Sequence, residues 1–339
     1  MVMTTEVGSY LTKTLELSLS QGSFDVQPLA GDASSRRYSR IKSGHKSWVL
    51  MEWEPYDPEN YSLLSVQRHF KKNHVLVPEV VAASGELGII LYEDLGDITL
   101  EQEFFKTRNP YGVLGYYRMS IDELLKIHLQ ATNDHSPCVA FNLEFDIEKL
   151  SWEMNFTRKH FLEGILQYPH QTQELMKEFD QLTSLLHQQK KWIQHRDYHS
   201  RNIMVFQNKV RVIDFQDARM GLVQYDLVSL LRDAYVPVPQ TLEQELLDYY
   251  LYRAKTDYNI EWNRNEFDYI YEVQSIQRLF KAVGSFASFW MLRKDRRYLK
   301  YIPSTIQRVK KSLDQLSEFP VLQSCLENSG AYAWSEEKL

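Results

Sequence analysis

Between Gln194 and Asn202 the chain reads QHRDYHSRN. A carboxylate at Asp197 and a carboxamide at Asn202 fall in one short polar stretch. A second carboxylate, Asp214, closes the segment KVRVIDF a hairpin's length later. The spacing is that of the pattern H-R-D-x-x-x-x-N followed by a further aspartate. Carboxylate and amide oxygens are hard donors that suit Mg²⁺. Moving a γ-phosphoryl group asks a protein for little covalent help. It needs a metal to neutralise phosphate oxygens, a carboxylate to orient the acceptor hydroxyl, and accurate positioning. Asp197 is the candidate base or orienter, and Asn202 and Asp214 are the candidate metal ligands. Asp and Asn also occupy loops because they form Asx-turns, but catalysis accounts for all three positions together. His195 and His199, at i and i+4, admit a metal-pair reading. No H-E-x-x-H pattern accompanies them, and packing with loop hydrogen bonds is favoured.

These residues need elements to hold them. NIMVFQ and KVRVIDF, joined by NK, predict a hairpin that brings Asp197 and Asp214 to one site. This is the one clear strand signal of the second half. Before it, DIEKLSWEMNFTRKHFLEG starts on a capping aspartate, Asp146, and stops at Gly164. TQELMKEFDQLTSLLHQQKK sets Leu175, Phe179, Leu182 and Leu186 on one helical face. The first part of the chain has another texture. After an opening helix, SFDVQPLAG, RRYSRIKSG and KSWVLMEWE are short β-rich segments. A helix follows in NYSLLSVQRHFKKN, then two extended pieces in VPEVVAASGELGIILYEDLG around Gly85. The expectation is an α+β, bilobal chain: a small β-rich lobe over residues 1–95, a larger helical lobe over 96–339, and LYEDLGD as the joint.

The bulk properties narrow the partners. At 339 residues the chain can bury a large core, and 43% hydrophobic with 25% charged residues is ordinary for a globular protein. A net charge of −6 argues against nucleic acid as a partner. No signal peptide and no membrane span is evident, which predicts a cytoplasmic protein. Cys138 and Cys325 are too few and too isolated for a disulfide framework or a zinc site. Oligomeric state is not legible.

HRDYHSRNIMV, VIDFQDA and YDLVSLLRDA resemble the catalytic segments of the aminoglycoside phosphotransferase family, relatives of choline and homoserine kinases with a protein-kinase-like fold. Within it, GDASSRRYSRI, VLMEWEP, LYEDLGD and QRLFKAVGSFASFWMLRKDRRYLKYIP resemble, in order, the bacterial anomeric kinases of N-acetylmuramate and N-acetylglucosamine, which act at C1 in cell-wall recycling. The resemblance spans roughly residues 25–310. It implies an ATP- and Mg²⁺-dependent kinase acting on an amino-sugar hydroxyl. Asp197 becomes the catalytic aspartate, Asn202 and Asp214 the magnesium ligands, and Asp226 a support for the catalytic loop. It also implies a nucleotide-covering loop at GDASS, with Gly31, Ser34 and Ser35, and a hinge at Glu93 and Leu95 whose backbone bonds adenine. Asp217, near the metal site in sequence, reads equally well as a solvated carboxylate.

One position departs from the wider pattern. Many kinases of this fold carry a strand lysine paired with a helix glutamate. Here Met51 and Leu63 take those places, so both charges are gone together. Either another cation meets the phosphates or the chain is an inactive scaffold; the intact Asp197, Asn202 and Asp214 favour an enzyme. Arg36 and Arg37 are the nearest candidates for that cation. Strand alternation sends them to opposite faces, and Arg36 is the one expected in the cleft. Further on, Arg278 and Lys281 lie at i and i+3 on a helix. They read as a solvated basic face or as contacts to an anionic substrate, with Arg278 facing the carboxylate of muramate. Other alcohols remain alternatives: choline, for which Trp152, Phe156, Trp290 and Tyr298 offer cage aromatics, homoserine, an aminoglycoside, or nucleotide binding without turnover.

Overall fold

Helix α1 (Thr5–Thr14) begins where the Thr4 hydroxyl accepts from the Val7 amide. Strands β1 (Asp25–Pro28), β2 (Arg37–Ser43) and β3 (Lys46–Glu52), helix α2 (Ser62–Lys72), and strands β4 (Val80–Ser84) and β5 (Ile89–Glu93) follow. The strands form one antiparallel sheet in the order β1-β2-β3-β5-β4. The computed structural model describes residues 4–15, 25–29, 36–169 and 172–338 of the chain. The expected nucleotide-covering residues Gly31, Ser34 and Ser35 lie outside the described residues.

The sheet is covered on both faces because its strands alternate. Leu50 joins Ile41, Ile89 and Leu91 beneath Val7 and Leu11 of α1. Its neighbour Met51 points the other way, into a core with Leu63, Val66 and Phe70 of α2. Met51 and Leu63 thus share one apolar core, and neither leaves a charge buried without a partner.

From Thr99 onward helices dominate. A capping box of Thr99 and Gln102 starts α3 (Leu100–Lys106). Then come α4 (Leu114–Leu125), continued in wider π-turns through Ala131, and α5 (Ile147–Thr157), similarly continued through Ile165. Asp146 caps α5 by accepting from the Lys149 amide. Helix α6 (Gln173–His187) leads into β6 (Trp192–Gln194), β7 (Ile203–Phe206), β8 (Lys209–Val212) and β9 (Arg219–Gly221). Helices α7 (Val223–Leu231), α8 (Gln240–Tyr258), α9 (Arg264–Arg293), α10 (Ile302–Leu313) and α11 (Pro320–Asn328) follow.

Two details differ from the sequence expectation. The β7–β8 turn falls on Gln207 and Asn208, one residue earlier than NK, because both hold positive φ (51° and 57°), as a tight two-residue hairpin requires. A second strand pair, β6 with β9, went unread; at three residues each, these strands are too short to show a period.

The sheet meets the helices through the segment after β5. Arg40 of β2 binds Asp94 at 2.7 Å and Asp97 at 2.9 Å. The Val205 amide donates to Ile98 O at 2.8 Å, and the Val212 amide to Leu76 O at 2.8 Å. The β7–β8 hairpin is therefore docked against the joint, which fixes Asp214 below the sheet.

Candidate active site

The stretch after β6 is held by carboxylates behind it. Asp226, fully buried on α7, accepts from the amides of His195 at 2.6 Å and Arg196 at 2.9 Å. Its Oδ2 also meets His128 Nε2 at 3.2 Å, and the other ring nitrogen of His128 meets the Tyr250 hydroxyl. Arg196 sits at φ +85°, a conformation a side chain resists, and the paired amides hold it there. Asp233 does the same further along, accepting from the amides of Ser200 and Tyr235, both at 2.8 Å. His195 Nε2 bonds Ile213 O at 2.9 Å, and the half-buried His199 ring packs edge-on against Tyr235. The two histidines brace the loop separately. Arg201 is likewise structural: it forks onto Glu101 and lies over Tyr235.

Within this frame three polar side chains converge. Asn202 Nδ2 donates to Asp197 O at 3.0 Å and to Asp214 Oδ2 at 3.2 Å. Asp214 holds φ +66°, and its Oδ1 accepts from Gln216 Nε2 at 2.8 Å. Asp214 offers carboxylate oxygens and Asn202 a carboxamide oxygen, hard donors of the kind Mg²⁺ takes, and the two side chains lie within hydrogen-bond reach of each other, so they would suit that ion. Gln216 was missed by the sequence reading; glutamine in a loop carries no signal of its own. Asp217 instead turns away to Arg196, at 3.0 Å.

The Asp197 side chain, 28% exposed, faces α9: Arg278 Nη2 stands 3.6 Å and Lys281 Nζ 3.8 Å from its Oδ1. Burial pushes the carboxyl pKa up, but Lys281, Arg278, Arg196 and His199 together hold it well below the usual carboxylate range. Burial likewise pushes His199 down to about 3, so that ring is neutral near pH 7. Arg278 is buried, donates to Ser229 Oγ at 2.9 Å and lies over the Tyr225 ring. A cavity of about 80 Å³ opens beside Asp197, walled by Arg278, Lys281, Tyr235, Ser285 and Phe286. Nearby on α5, buried Glu153 accepts from Gln277 at 2.8 Å.

On the sheet side, Arg36 and Arg37 part as alternation requires. Arg37 is 59% exposed and 3.8 Å from Glu52. Arg36 is half-buried toward the site; burial lowers its pKa, but the phenols of Tyr61 and Tyr38 and the Asp214 carboxylate outweigh that and raise it. Glu93 ends β5, its amide bonded to Glu79 O and its carboxylate 3.7 Å from Arg211; Leu95 is buried. The four aromatics considered for a choline cage do not close into one. Trp152, 52% exposed, packs on Phe156, whereas Tyr298 stacks on Phe286 and Phe289, and Trp290 carries Lys294 and Arg296. The basic run near the end of α9 is largely spent on itself, with Arg297 on Asp295 and Arg296 on Glu336 O. Among the described residues no helix is long and apolar enough to cross a membrane.

The profile of the phosphotransferase enzyme family matches residues 25–260. The chain is 28% identical over 321 residues to the N-acetylmuramate/N-acetylglucosamine kinase of Neisseria meningitidis serogroup B, covering 93% of this chain and 94% of that one. It is 25% identical to the enzyme of the same name from Pseudomonas aeruginosa, covering 89% and 88%. Among solved structures, an ADP-bound aminoglycoside phosphotransferase superposes with a TM-score of 0.57 at 16% identity, over 94% of this chain and 99% of that chain. This last likeness is one of fold.

Proposed function

The chain belongs to the phosphotransferase enzyme family, and on that premise we propose that it is an ATP-dependent kinase that phosphorylates the anomeric hydroxyl of N-acetylmuramate or N-acetylglucosamine. The observation that carries the phosphotransfer is the Asn202 carboxamide, which joins Asp214 Oδ2 at 3.2 Å and the backbone carbonyl of Asp197 at 3.0 Å, with Asp197 itself lining a cavity. The choice of acceptor is supported by the curated relatives named for these two sugars.

In this reading the nucleotide lies between the sheet and the β7–β8 hairpin, with the backbone around Glu93 and Leu95 toward adenine and Arg36 toward the phosphates. Asn202 and Asp214 hold magnesium, which when bound neutralises phosphate oxygens. Asp197 orients the acceptor hydroxyl. Two cations on its Oδ1 leave Oδ2 to accept that hydroxyl's hydrogen bond and, late in the reaction, its proton. The buried amide bonds from Asp226 and Asp233 keep the carboxylate from drifting, and positioning of this kind is worth orders of magnitude in rate. Arg278 stands where it can meet the carboxylate of muramate.

The test is ADP release from Mg·ATP with a panel of acceptors. Turnover with the two amino sugars and background rates with choline, homoserine and an aminoglycoside are expected. Turnover with one of the latter alone, or nucleotide binding without turnover on any acceptor, would replace this reading.

A further inference from the structure

Helix α9 brings two cations to Asp197, and they are engaged differently. Arg278 is occupied by the Ser229 hydroxyl and the Tyr225 ring. Lys281 is one turn further on and lines the cavity. Its side chain is 16% exposed, and among the described residues its ammonium has Asp197 Oδ1 at 3.8 Å and no hydrogen bond. An ammonium carries three donors, and 3.8 Å is too long for any of them to be satisfied there. Burial acts to lower its pKa, Asp197 supports the charge, Arg278 opposes it, and the net direction is down. Such an ammonium is incompletely solvated and sits beside the place of reaction.

The local charge points the same way. Arg278, Lys281 and Arg196 face Asp197 and the buried Glu153, three cations to two carboxylates, in a protein of net charge −6. The strand that carries a lysine in many kinases of this fold has Met51 buried in the core instead. A hydroxyl bound to Asp197 Oδ2 lies about 2.7 Å from it. Asp197 and Lys281 wall the same cavity, so an acceptor seated there with its hydroxyl on Asp197 has the Lys281 ammonium on the same wall.

We propose that Lys281 is a catalytic residue that meets the transferring phosphoryl group from the acceptor side and neutralises its oxygens during transfer. This rests on the reading of Asp197 as the residue that orients the acceptor. A lone pair of the acceptor oxygen forms the new bond to the γ-phosphorus. The bond from that phosphorus to the bridging oxygen breaks, and its electron pair leaves with ADP. The hydroxyl proton passes to Asp197 Oδ2 and on to solvent, and Lys281 keeps its own proton throughout.

The experiment uses Lys281→Met, Lys281→Gln and Lys281→Arg in the full chain, each with its thermal midpoint. kcat and the KM for ATP are measured with N-acetylglucosamine, which is neutral, with N-acetylmuramate, which is acidic, and with water alone as acceptor. Loss of an electrostatic stabiliser predicts a fall in kcat of about 10²–10³-fold in all three. The KM for ATP should change only a few-fold, and arginine should recover part of the rate. A loss confined to the KM of the acidic sugar would make Lys281 a reader of the carboxylate and overturn the proposal. Rates within three-fold of the unaltered protein would overturn it too. If the unaltered protein hydrolyses ATP but phosphorylates neither sugar, the acceptor assignment falls, and the rates in water alone still decide the role of Lys281.

Discussion

Asp197 is surrounded by cations, and this bears on what it can do. A carboxylate held well below its usual range by Lys281 and Arg278, against the opposing effect of burial, is a weak base. In the proposed mechanism it orients the hydroxyl throughout and takes the proton only late. Asp197→Asn keeps the shape but loses the charge, and kcat should drop about 10²–10⁴-fold while ATP still binds. Near-normal kcat in that variant would remove Asp197 from the mechanism. The sign of the pKa shift gives a second readout. A depressed carboxyl stays ionised as pH falls through the ordinary carboxylate range, so kcat at saturating Mg·ATP should not decline between pH 8 and pH 5 through this group. A limb in that window that vanishes in Asp197→Asn would contradict the assignment. At the metal pair, Asp214→Ala should raise the magnesium requirement strongly and Asn202→Ala mildly, because water replaces one amide more easily than a charged ligand. Magnesium titration of activity measures both, and an unchanged dependence in the two variants would place the ion elsewhere. Asp197, Asn202 and Asp214 were legible before the fold because rare combinations of polar types carry their own spacing. Gln216 and Asp233 were not, because their roles come from what the chain places opposite them.

Helix α9 reaches Asp197 only because α5 lets it approach. Gly284 packs on Thr157, whose hydroxyl donates to Phe280 O at 2.9 Å. A Cβ at Gly284 would stand 2.2 Å from Thr157 Oγ1 and 2.6 Å from its Cα, so the helices must separate. Gly284→Ala is expected to cost about 1–3 kcal/mol, read as a lower thermal midpoint, and to reduce kcat by displacing Arg278 and Lys281. Unchanged stability would mean that the helices tolerate the shift. Helices α2, α5 and α6 and the five β segments of the first part were readable from periodicity and composition, down to the Asp146 cap, whereas α8 and the full length of α9 were not. The pairing of β6 with β9 was not, since three-residue strands owe their existence to neighbours rather than to pattern. The β7–β8 turn slipped by one residue in the reading because Gln207, an unusual choice for positive φ, occupies its first position.

At the scale of the whole molecule the proposed nucleotide site lies between sheet and helices, and the two arginines proposed to face it differ. Arg36 is half-buried with Tyr61 and Tyr38 as its main electrostatic neighbours, while Arg37 pairs with Glu52 at the surface. Arg36→Ala should raise the KM for ATP by an order of magnitude and Arg37→Ala by a few-fold at most. A change of no more than a few-fold in both variants would mean that the phosphates meet another cation. Arg40, clasping Asp94 and Asp97, ties the sheet to the segment that follows it. Fold and catalytic loop were both open to reading from residues alone; the acceptor was not, because its cavity is assembled from α7, α9 and the loop between β6 and β7, which meet only in three dimensions. The measurement that bears most directly on the central claim is phosphorus NMR of the product formed from Mg·ATP and N-acetylmuramate or N-acetylglucosamine. The account predicts a sugar 1-phosphate formed in step with ADP. A sugar 6-phosphate, or ADP released with no phosphorylated sugar, would contradict it.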